Sequence, residues 1–130
     1  MPISSKILLV DDDIYLARSL KKILIQSGFY VVVTHTAAEA LKATENERFD
    51  LCISDLALPD VVGLNFLEQL RNAKSTQNLP LIIYSGFASR EREKIRKYRP
   101  LWVLNKPEPT ENLLNLVREV LGETPAKPRF

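Results

Sequence analysis

The feature that most constrains the fold of this chain is a fivefold alternation of short apolar runs with longer amphipathic stretches. The apolar runs are residues 6–10 (KILLV), 30–33 (YVVV), 51–54 (LCIS), 79–85 (LPLIIYS) and 101–104 (LWVL). The amphipathic stretches have helical periodicity and cover residues 15–28, 34–47, 63–73, 89–98 and 110–122. Strands that are apolar throughout are typical of a parallel sheet buried on both faces. The alternation therefore predicts a doubly wound α/β fold with right-handed crossovers.

Composition limits the class of protein. The 130 residues suit one domain, which we place at residues 1–122, with residues 123–130 as a tail or linker. The net charge of +2 is too small to indicate binding to nucleic acid. No apolar run approaches the roughly 20 residues that span a membrane, and the start does not resemble a signal peptide. The single cysteine, Cys52, favours a reducing cytoplasm.

Polar side chains follow four of the five predicted strands. Asp11 and Asp12 come after the first strand and Asp55 after the third, while Ser85 ends the fourth and Lys106 follows the fifth. In open α/β sheets, ligands bind outside the carboxyl ends of the strands. We therefore expect these side chains to share one crevice.

The predicted cluster matches the requirements of phosphoryl transfer. Carboxylates that crowd together repel one another, and a hard divalent cation such as Mg²⁺ relieves that repulsion. An aspartate can act as a nucleophile and form an acyl phosphate. A metal ion, an ammonium and a hydroxyl stabilise the charge on the transferring group.

Each of these residues also has an ordinary structural interpretation. An acidic residue after a strand often caps a helix, as Asp13 is expected to do, or occupies a turn. Taken singly, Ser85 is an ordinary loop residue and Lys106 a solvated surface charge. The occurrence of such residues at four strand ends together favours the functional interpretation.

The motifs ILLVDDD, ISDLALPDVVGL, IIYSG and NKP, in this order, resemble those of the receiver domain of two-component response regulators. The resemblance covers residues 5–122. It implies a flavodoxin-like, five-stranded parallel sheet in the order 2-1-3-4-5 with helices on both faces. It also implies transfer of a phosphoryl group from a histidine kinase to one aspartate.

The resemblance assigns roles to individual residues. Asp55 is similar to the phosphoacceptor, Ser85 to the hydroxyl that moves towards the phosphoryl group, and Lys106 to the lysine that pairs with it. The implied Mg²⁺ ligands are Asp12 directly, Asp11 through water, Asp55, and the backbone carbonyl of Ala57. The implied loop features are a cis Lys106–Pro107 bond, and Pro59 and Gly63 before the third helix.

The implied partners are a histidine kinase or phosphotransfer protein and an unknown output domain or protein. The fourth helix, fifth strand and fifth helix are the implied contact surface for the output partner. No contact with nucleic acid or a membrane is expected of this domain. Its catalysis is expected to be limited to its own phosphorylation and dephosphorylation, so that it is not an enzyme in the usual sense.

Three other classes of protein fit this pattern less well. A haloacid-dehalogenase phosphatase needs a second acidic residue two positions after its nucleophile, where this chain has Ala57. A Rossmann nucleotide-binding domain needs a glycine-rich turn after the first strand, which is missing here. A pseudo-receiver that is not phosphorylated is disfavoured by the complete set of Asp11, Asp12, Asp55, Ser85 and Lys106.

Two stretches depart from the ordinary pattern. In the family, an aromatic ring three residues before the lysine turns when the domain is activated, but this chain has Val103 there and Trp102 beside it. Strand alternation predicts that Trp102 faces the other side of the sheet. In residues 90–99, eight of ten are charged, so the fourth helix is either a solvated surface or a contact surface for a partner.

Overall fold

Five parallel strands form a sheet in the order β2-β1-β3-β4-β5, which confirms the predicted fold class. The structure is a computed structural model, and it describes residues 4–86 and 90–122. The strands are β1 (Lys6–Val10), β2 (Tyr30–Thr34), β3 (Leu51–Ser54), β4 (Leu81–Ser85) and β5 (Leu101–Asn105). Their bounds agree with the apolar runs to within two residues, because burial on both faces favours apolar side chains in the interior of these strands.

Helices follow each strand along the chain. They are α1 (Ile14–Gln26), α2 (Ala37–Asn46), α3 (Asn65–Asn72), α4 (Arg92–Ile95) and α5 (Thr110–Val120). Side-chain oxygens cap the first two. Asp13 accepts a hydrogen bond from the Leu16 N–H at 3.0 Å, and Thr36 accepts one from the Glu39 N–H at 3.1 Å. Asp13 was predicted as a cap, and Thr36 and Glu39 have the spacing of a capping box.

The fourth helix is shorter than the predicted 89–98. It has one α-helical turn, Arg92–Ile95, and continues as a 3₁₀ turn over Arg96–Tyr98, while residue 89 lies outside the described residues. The two apolar residues, Ile95 and Tyr98, are both buried. They are three residues apart, and the 3₁₀ geometry aligns side chains at this spacing on one line.

Two apolar layers pack on the two faces of the sheet. Residues from α2, α3 and α4 pack against one face, and residues from α1 and α5 pack against the other. Val103 contacts the first layer and Trp102 the second, as strand alternation predicted. The crossovers thus leave the carboxyl ends of the strands free of helices.

Strand register brings the carboxyl ends of the strands together. Val10 of β1 is paired with Ser54 of β3, and Ser85 of β4 with Asn105 of β5. The residues that follow these strands therefore meet at one edge of the sheet. Among the described helices, none combines the length and apolar character needed to cross a membrane.

Candidate functional site

The structure brings all five predicted side chains together at the carboxyl edge of the sheet. The carboxylates of Asp11, Asp12 and Asp55 have oxygen atoms that all lie within 4.8 Å of one another. Lys106 and Ser85 reach the same cluster from β5 and β4. Residues that are distant in sequence meet here because each follows or ends a strand of one parallel sheet.

Lys106 joins two of the carboxylates. Its Nζ atom donates to Oδ2 of Asp11 and to Oδ2 of Asp55, both at 2.8 Å. Its backbone N–H donates to the carbonyl oxygen of Ser85 at 3.1 Å. The Lys106–Pro107 peptide bond is cis, as the resemblance implied, and so is Arg99–Pro100. The ammonium group is thus anchored between β1 and β3.

Asp55 is held by main-chain and side-chain donors. Its backbone N–H donates to the carbonyl oxygen of Val10 at 3.0 Å, and its Oδ1 accepts the Ala57 N–H at 3.1 Å. Burial alone would raise the pKa of Asp55, but hydrogen bonds from Lys106, Ser85 and Ala57 together lower that pKa below its usual value. The carboxylate is therefore ionised at neutral pH.

Asp11 is in a different environment from Asp55, although both contact Lys106. Its side chain is buried, and Oδ1 accepts the backbone N–H of Asp13 at 2.9 Å. Burial raises the pKa of Asp11, and the hydrogen bond from Lys106 offsets only part of this effect. Burial would lower the pKa of Lys106, yet the two carboxylates raise that pKa, so its ammonium stays charged. Asp12, by contrast, is exposed.

The donor set fits a hard divalent cation. Three carboxylates converge, and one of them, Asp12, is open to solvent. Mg²⁺ prefers one or two carboxylates together with water molecules, so a half-open oxygen site of this kind suits it. The hydrogen bond between Ala57 N–H and Asp55 also keeps residue 57 beside the cluster.

The loop after β3 is fixed by a contact that the sequence did not reveal. Asp60 accepts hydrogen bonds from the backbone N–H groups of Ala37 and Ala38, both at 2.9 Å, at the beginning of α2. These two bonds lower the pKa of Asp60. Gly63, at φ 56°, ends the loop before α3, in the left-handed region that glycine adopts without a steric penalty.

His35 and Tyr84 also contact the site residues and were not predicted. His35 Nδ1 lies 2.8 Å from the backbone oxygen of Asp11, and since a carbonyl can only accept, the ring nitrogen donates. His35 directly follows β2, so its position after a strand was an available signal. Tyr84 lies within the predicted fourth strand, and nothing in its sequence context indicated that its ring lies near Lys106.

Curated proteins and solved structures resemble this chain over most of its length. It is 30% identical to "Probable transcriptional regulator ycf29" of Pyropia yezoensis over 92% of this chain and 54% of that protein. The chain therefore spans about half the length of this relative and of its counterpart in Porphyra purpurea.

Among solved structures, a CheY-like response regulator receiver domain from Methanospirillum hungatei has a TM-score of 0.82 and 32% identity, covering 92% of this chain and 95% of that one. The chemotaxis response regulator CheY4 of Vibrio cholerae has a TM-score of 0.82 and 28% identity, covering 91% and 99%. The family model described as the response regulator receiver domain matches residues 7–118. This chain belongs to the response regulator receiver domain family of two-component signalling.

Proposed function

We propose that this domain accepts a phosphoryl group on Asp55 from the phosphohistidine of a histidine kinase or phosphotransfer protein, in a reaction that depends on Mg²⁺. The observation that carries the proposal is the convergence of the Lys106 ammonium and the Ser85 hydroxyl on the Asp55 carboxylate. A cation and a hydroxyl beside an ionised carboxylate are the groups that phosphoryl transfer to an aspartate requires.

The transfer is a single displacement at phosphorus. An oxygen of the Asp55 carboxylate attacks the phosphorus of the donor and forms a P–O bond, and the P–N bond to the imidazole breaks. The electron pair of the broken bond stays on the imidazole nitrogen, and because the other ring nitrogen of the donor carries a proton, the ring leaves as neutral imidazole. The low pKa of Asp55 keeps the nucleophile ionised at neutral pH.

The metal site proposed for this reaction consists of Asp11, Asp12, Asp55 and the backbone carbonyl of Ala57. A bound Mg²⁺ would supply positive charge next to the transferring phosphoryl oxygens. Asp12 is the exposed carboxylate of the set and therefore the side chain that a hydrated ion would meet first. Asp11 is already hydrogen-bonded to Lys106 and to the Asp13 N–H, in keeping with contact through water.

Lys106 and Ser85 stabilise the product. In the unphosphorylated protein the Lys106 ammonium is shared by Asp11 and Asp55. After transfer, the ammonium pairs with a phosphoryl oxygen, and the Ser85 hydroxyl donates to another. The domain catalyses only its own phosphorylation and dephosphorylation, and the altered contacts at Ser85 change the surface offered to an output partner.

The output partner is proposed to contact the face formed by α4, β5 and α5. Six of the eight charged residues in 90–99 are basic. Three of them line a groove together with residues of β5: Arg92, Arg96 and Arg99. We place the domain in the cytoplasm, where a phosphohistidine donor and a reduced cysteine are both expected; Cys52 is a free thiol buried in the core.

The experiment is incubation of the protein with Mg²⁺ and acetyl phosphate, followed by intact-mass spectrometry. We expect one added phosphoryl group that hydroxylamine or base removes, as for an acyl phosphate. Asp55→Asn should abolish the mass increment while preserving the fold, because the amide is nearly isosteric with the carboxylate. Omission of Mg²⁺ with added chelator should have the same effect.

The matched control is Asp50→Asn at the opposite end of the same strand. Asp50 directly precedes β3, and its side chain accepts the Lys6 N–H at 2.7 Å, far from the cluster. This variant should be labelled as the wild type is. Labelling of Asp55→Asn to the wild-type extent would reject the assignment, and no labelling of the wild type would instead favour an unphosphorylated interaction module.

A further inference from the structure

Tyr84 contacts Lys106 from the neighbouring strand. Tyr84 is buried, lies one residue before Ser85 in β4, and is paired with Leu104 of β5. The Lys106 Nζ atom lies 5.5 Å from the centroid of the Tyr84 ring. A cation within about 6 Å of a ring centroid is attracted by the ring quadrupole. The ammonium therefore has an aromatic neighbour in addition to its two carboxylates.

The Tyr84 hydroxyl holds the segment that carries this lysine. It donates to the backbone oxygen of Glu108 at 3.3 Å, and the carbonyl of the next residue, Ser85, accepts the Lys106 N–H at 3.1 Å. Lys106 and Glu108 are the residues on either side of Pro107. Two adjacent residues at the end of β4 thus fix the main chain before and after Pro107, and with it the origin of the Lys106 side chain.

We propose that Tyr84 is a positioning residue that directs the Lys106 ammonium at Asp55, an inference that rests on the proposed function. The ammonium must leave the carboxylates and follow a phosphoryl oxygen while remaining at the same edge of the sheet. The ring attracts the cation without neutralising it, and a buried ring excludes water from that side. The hydroxyl contributes by keeping the loop after β5 in place.

The test separates the two contacts of Tyr84 with two variants. Tyr84→Phe removes only the hydroxyl bond to Glu108, and Tyr84→Leu also removes the ring. The initial rate of Asp55 labelling by acetyl phosphate with Mg²⁺ should fall about twofold to threefold in the first and about fivefold to tenfold in the second. Tyr84→Phe should therefore retain much of the activity that Tyr84→Leu loses.

The same variants in a Lys106→Met background test whether Tyr84 acts through the lysine. Lys106→Met alone should slow labelling. If Tyr84 acts through the lysine, adding Tyr84→Leu to Lys106→Met should change the labelling rate by less than about 1.5-fold, as expected for residues that act as a unit. Ile82→Val is the matched control, because Ile82 lies two residues earlier on the same face of β4 and in the same apolar layer. It should reduce stability but leave the labelling rate unchanged.

A second measurement is independent of phosphorylation. The ring should shift the side-chain methylene proton resonances of Lys106, and this shift should persist in Tyr84→Phe and disappear in Tyr84→Leu. The proposal would be overturned if Tyr84→Leu slowed labelling by the same factor in the wild type and in Lys106→Met. It would also be overturned if Tyr84→Leu were labelled at the wild-type rate. Failure of the wild type to label at all would overturn the proposed function itself.

Discussion

At the scale of single residues, the charge on Asp55 is maintained at the end of a core strand by donors rather than by bulk water. Lys106, Ser85 and the Ala57 N–H all contribute hydrogen bonds to it. The sequence predicted that these residues would meet, because each stands at or near a strand end. It did not predict that the Lys106 ammonium would be shared by Asp55 and Asp11. Sharing requires both carboxylates to lie within hydrogen-bonding distance of one Nζ atom, and the sequence alone does not give such distances.

The raised pKa of Asp11 leads to a prediction about stability. Burial makes ionisation of Asp11 more costly in the folded state than in the unfolded state. Asp11→Asn, which cannot ionise, should therefore increase the free energy of unfolding of the metal-free protein at pH 7. Chemical denaturation with chelator present is the measurement.

The pH dependence of this gain follows from the sign of the shift. A carboxyl whose folded-state pKa lies above its unfolded value of 3.8 favours the folded state only when protonated. In the wild type, the destabilisation by Asp11 should thus fade as the pH falls through the folded-state pKa. The advantage of Asp11→Asn should shrink over the same interval, and an advantage that grew in acid would contradict the assigned environment.

Cys52 offers a probe of the core at single-residue resolution, since it is the only cysteine of the chain. Burial raises the pKa of its thiol to about 12, so almost no thiolate is present at pH 8. We expect Ellman's reagent to react with the folded protein at least about 10³-fold more slowly than with the protein in urea, given a typical domain stability of 5 kcal/mol or more. Fast reaction under native conditions would show that β3 is accessible.

At the scale of elements, long-range side-chain contacts fix helix ends that local sequence defines only in part. Backbone N–H groups at the beginning of α2 donate hydrogen bonds to Thr36, its own cap, and to Asp60, which lies 23 residues after Ala37. The first was predictable from the Thr36–Glu39 spacing. The second was not, because nothing in a local window indicates which helix a loop carboxylate will reach.

The two caps of α2 should be separable by amide hydrogen exchange. Thr36→Ala should speed the exchange of the Glu39 amide and cost about 1 kcal/mol of stability, the usual cost of losing a cap. Asp60→Ala should instead speed the exchange of the Ala37 and Ala38 amides. Equal protection of these two amides in wild type and Asp60→Ala would show that Asp60 does not cap α2 in solution.

Arg71 joins the end of α3 to the segment before β5. Its guanidinium donates to the backbone oxygens of Tyr98, Thr76 and Pro100 at 2.8, 2.8 and 3.0 Å. These carbonyls lie in two different segments, and the fork of a guanidinium reaches both at once. Tyr98 is held a second time, since its hydroxyl donates to Glu68 of α3 at 2.8 Å. The 3₁₀ turn after α4 is therefore fastened to α3.

Arg71→Lys should test this attachment. A lysine keeps the charge but cannot donate along three fixed directions, so we expect a loss of about 1–2 kcal/mol in the free energy of unfolding. Arg18→Lys on the exposed side of α1 is the control and should change stability by less than about 0.5 kcal/mol. A similar effect of both substitutions would mean that the backbone contacts of Arg71 contribute little.

At the scale of the whole molecule, the sheet divides the core into two layers, and this division bears on how a signal leaves the site. Val103 packs in the layer under α2, α3 and α4, whereas Trp102 and Tyr84 pack in the layer under α1 and α5. The aromatic rings of Tyr84 in β4 and Trp102 in β5 are thus on the face of the sheet opposite to α4. A ring at position 103 that turns towards α4 is not available in this chain.

The strands were predictable from the sequence and the length of α4 was not, for a physical reason. Buried strands are apparent as short apolar runs, so the five strands followed from local pattern. Their order in the sheet followed from the family resemblance. The predicted boundary of α4 was wrong because eight of the ten residues in 90–99 are charged, so that only Ile95 and Tyr98 define a buried side. Helix pattern is weak in such a segment, and tertiary contacts decide its length.

We therefore expect the relay to pass through the backbone after Ser85 rather than through Val103. Valine is β-branched and stiff at χ1, so rotating it exposes or buries little area. Val103→Ala should cost about 1–2 kcal/mol of stability and leave the response to activation nearly intact. The response is measured as amide chemical-shift changes in α4 on adding Mg²⁺ and beryllofluoride, which imitates the phosphoryl group.

Gly86→Val is the complementary variant, because Gly86 is the first residue after β4. A Cβ atom at this position would meet no other atom within 4 Å, so the substitution should spare the fold and the labelling of Asp55. A β-branched residue there restricts the backbone angles that the segment can adopt, and it should therefore reduce the shift changes in α4. If Val103→Ala erased those shift changes while Gly86→Val retained them, the signal would pass through β5. The substitution that blocked it would then be the one in the apolar layer between β5 and α4.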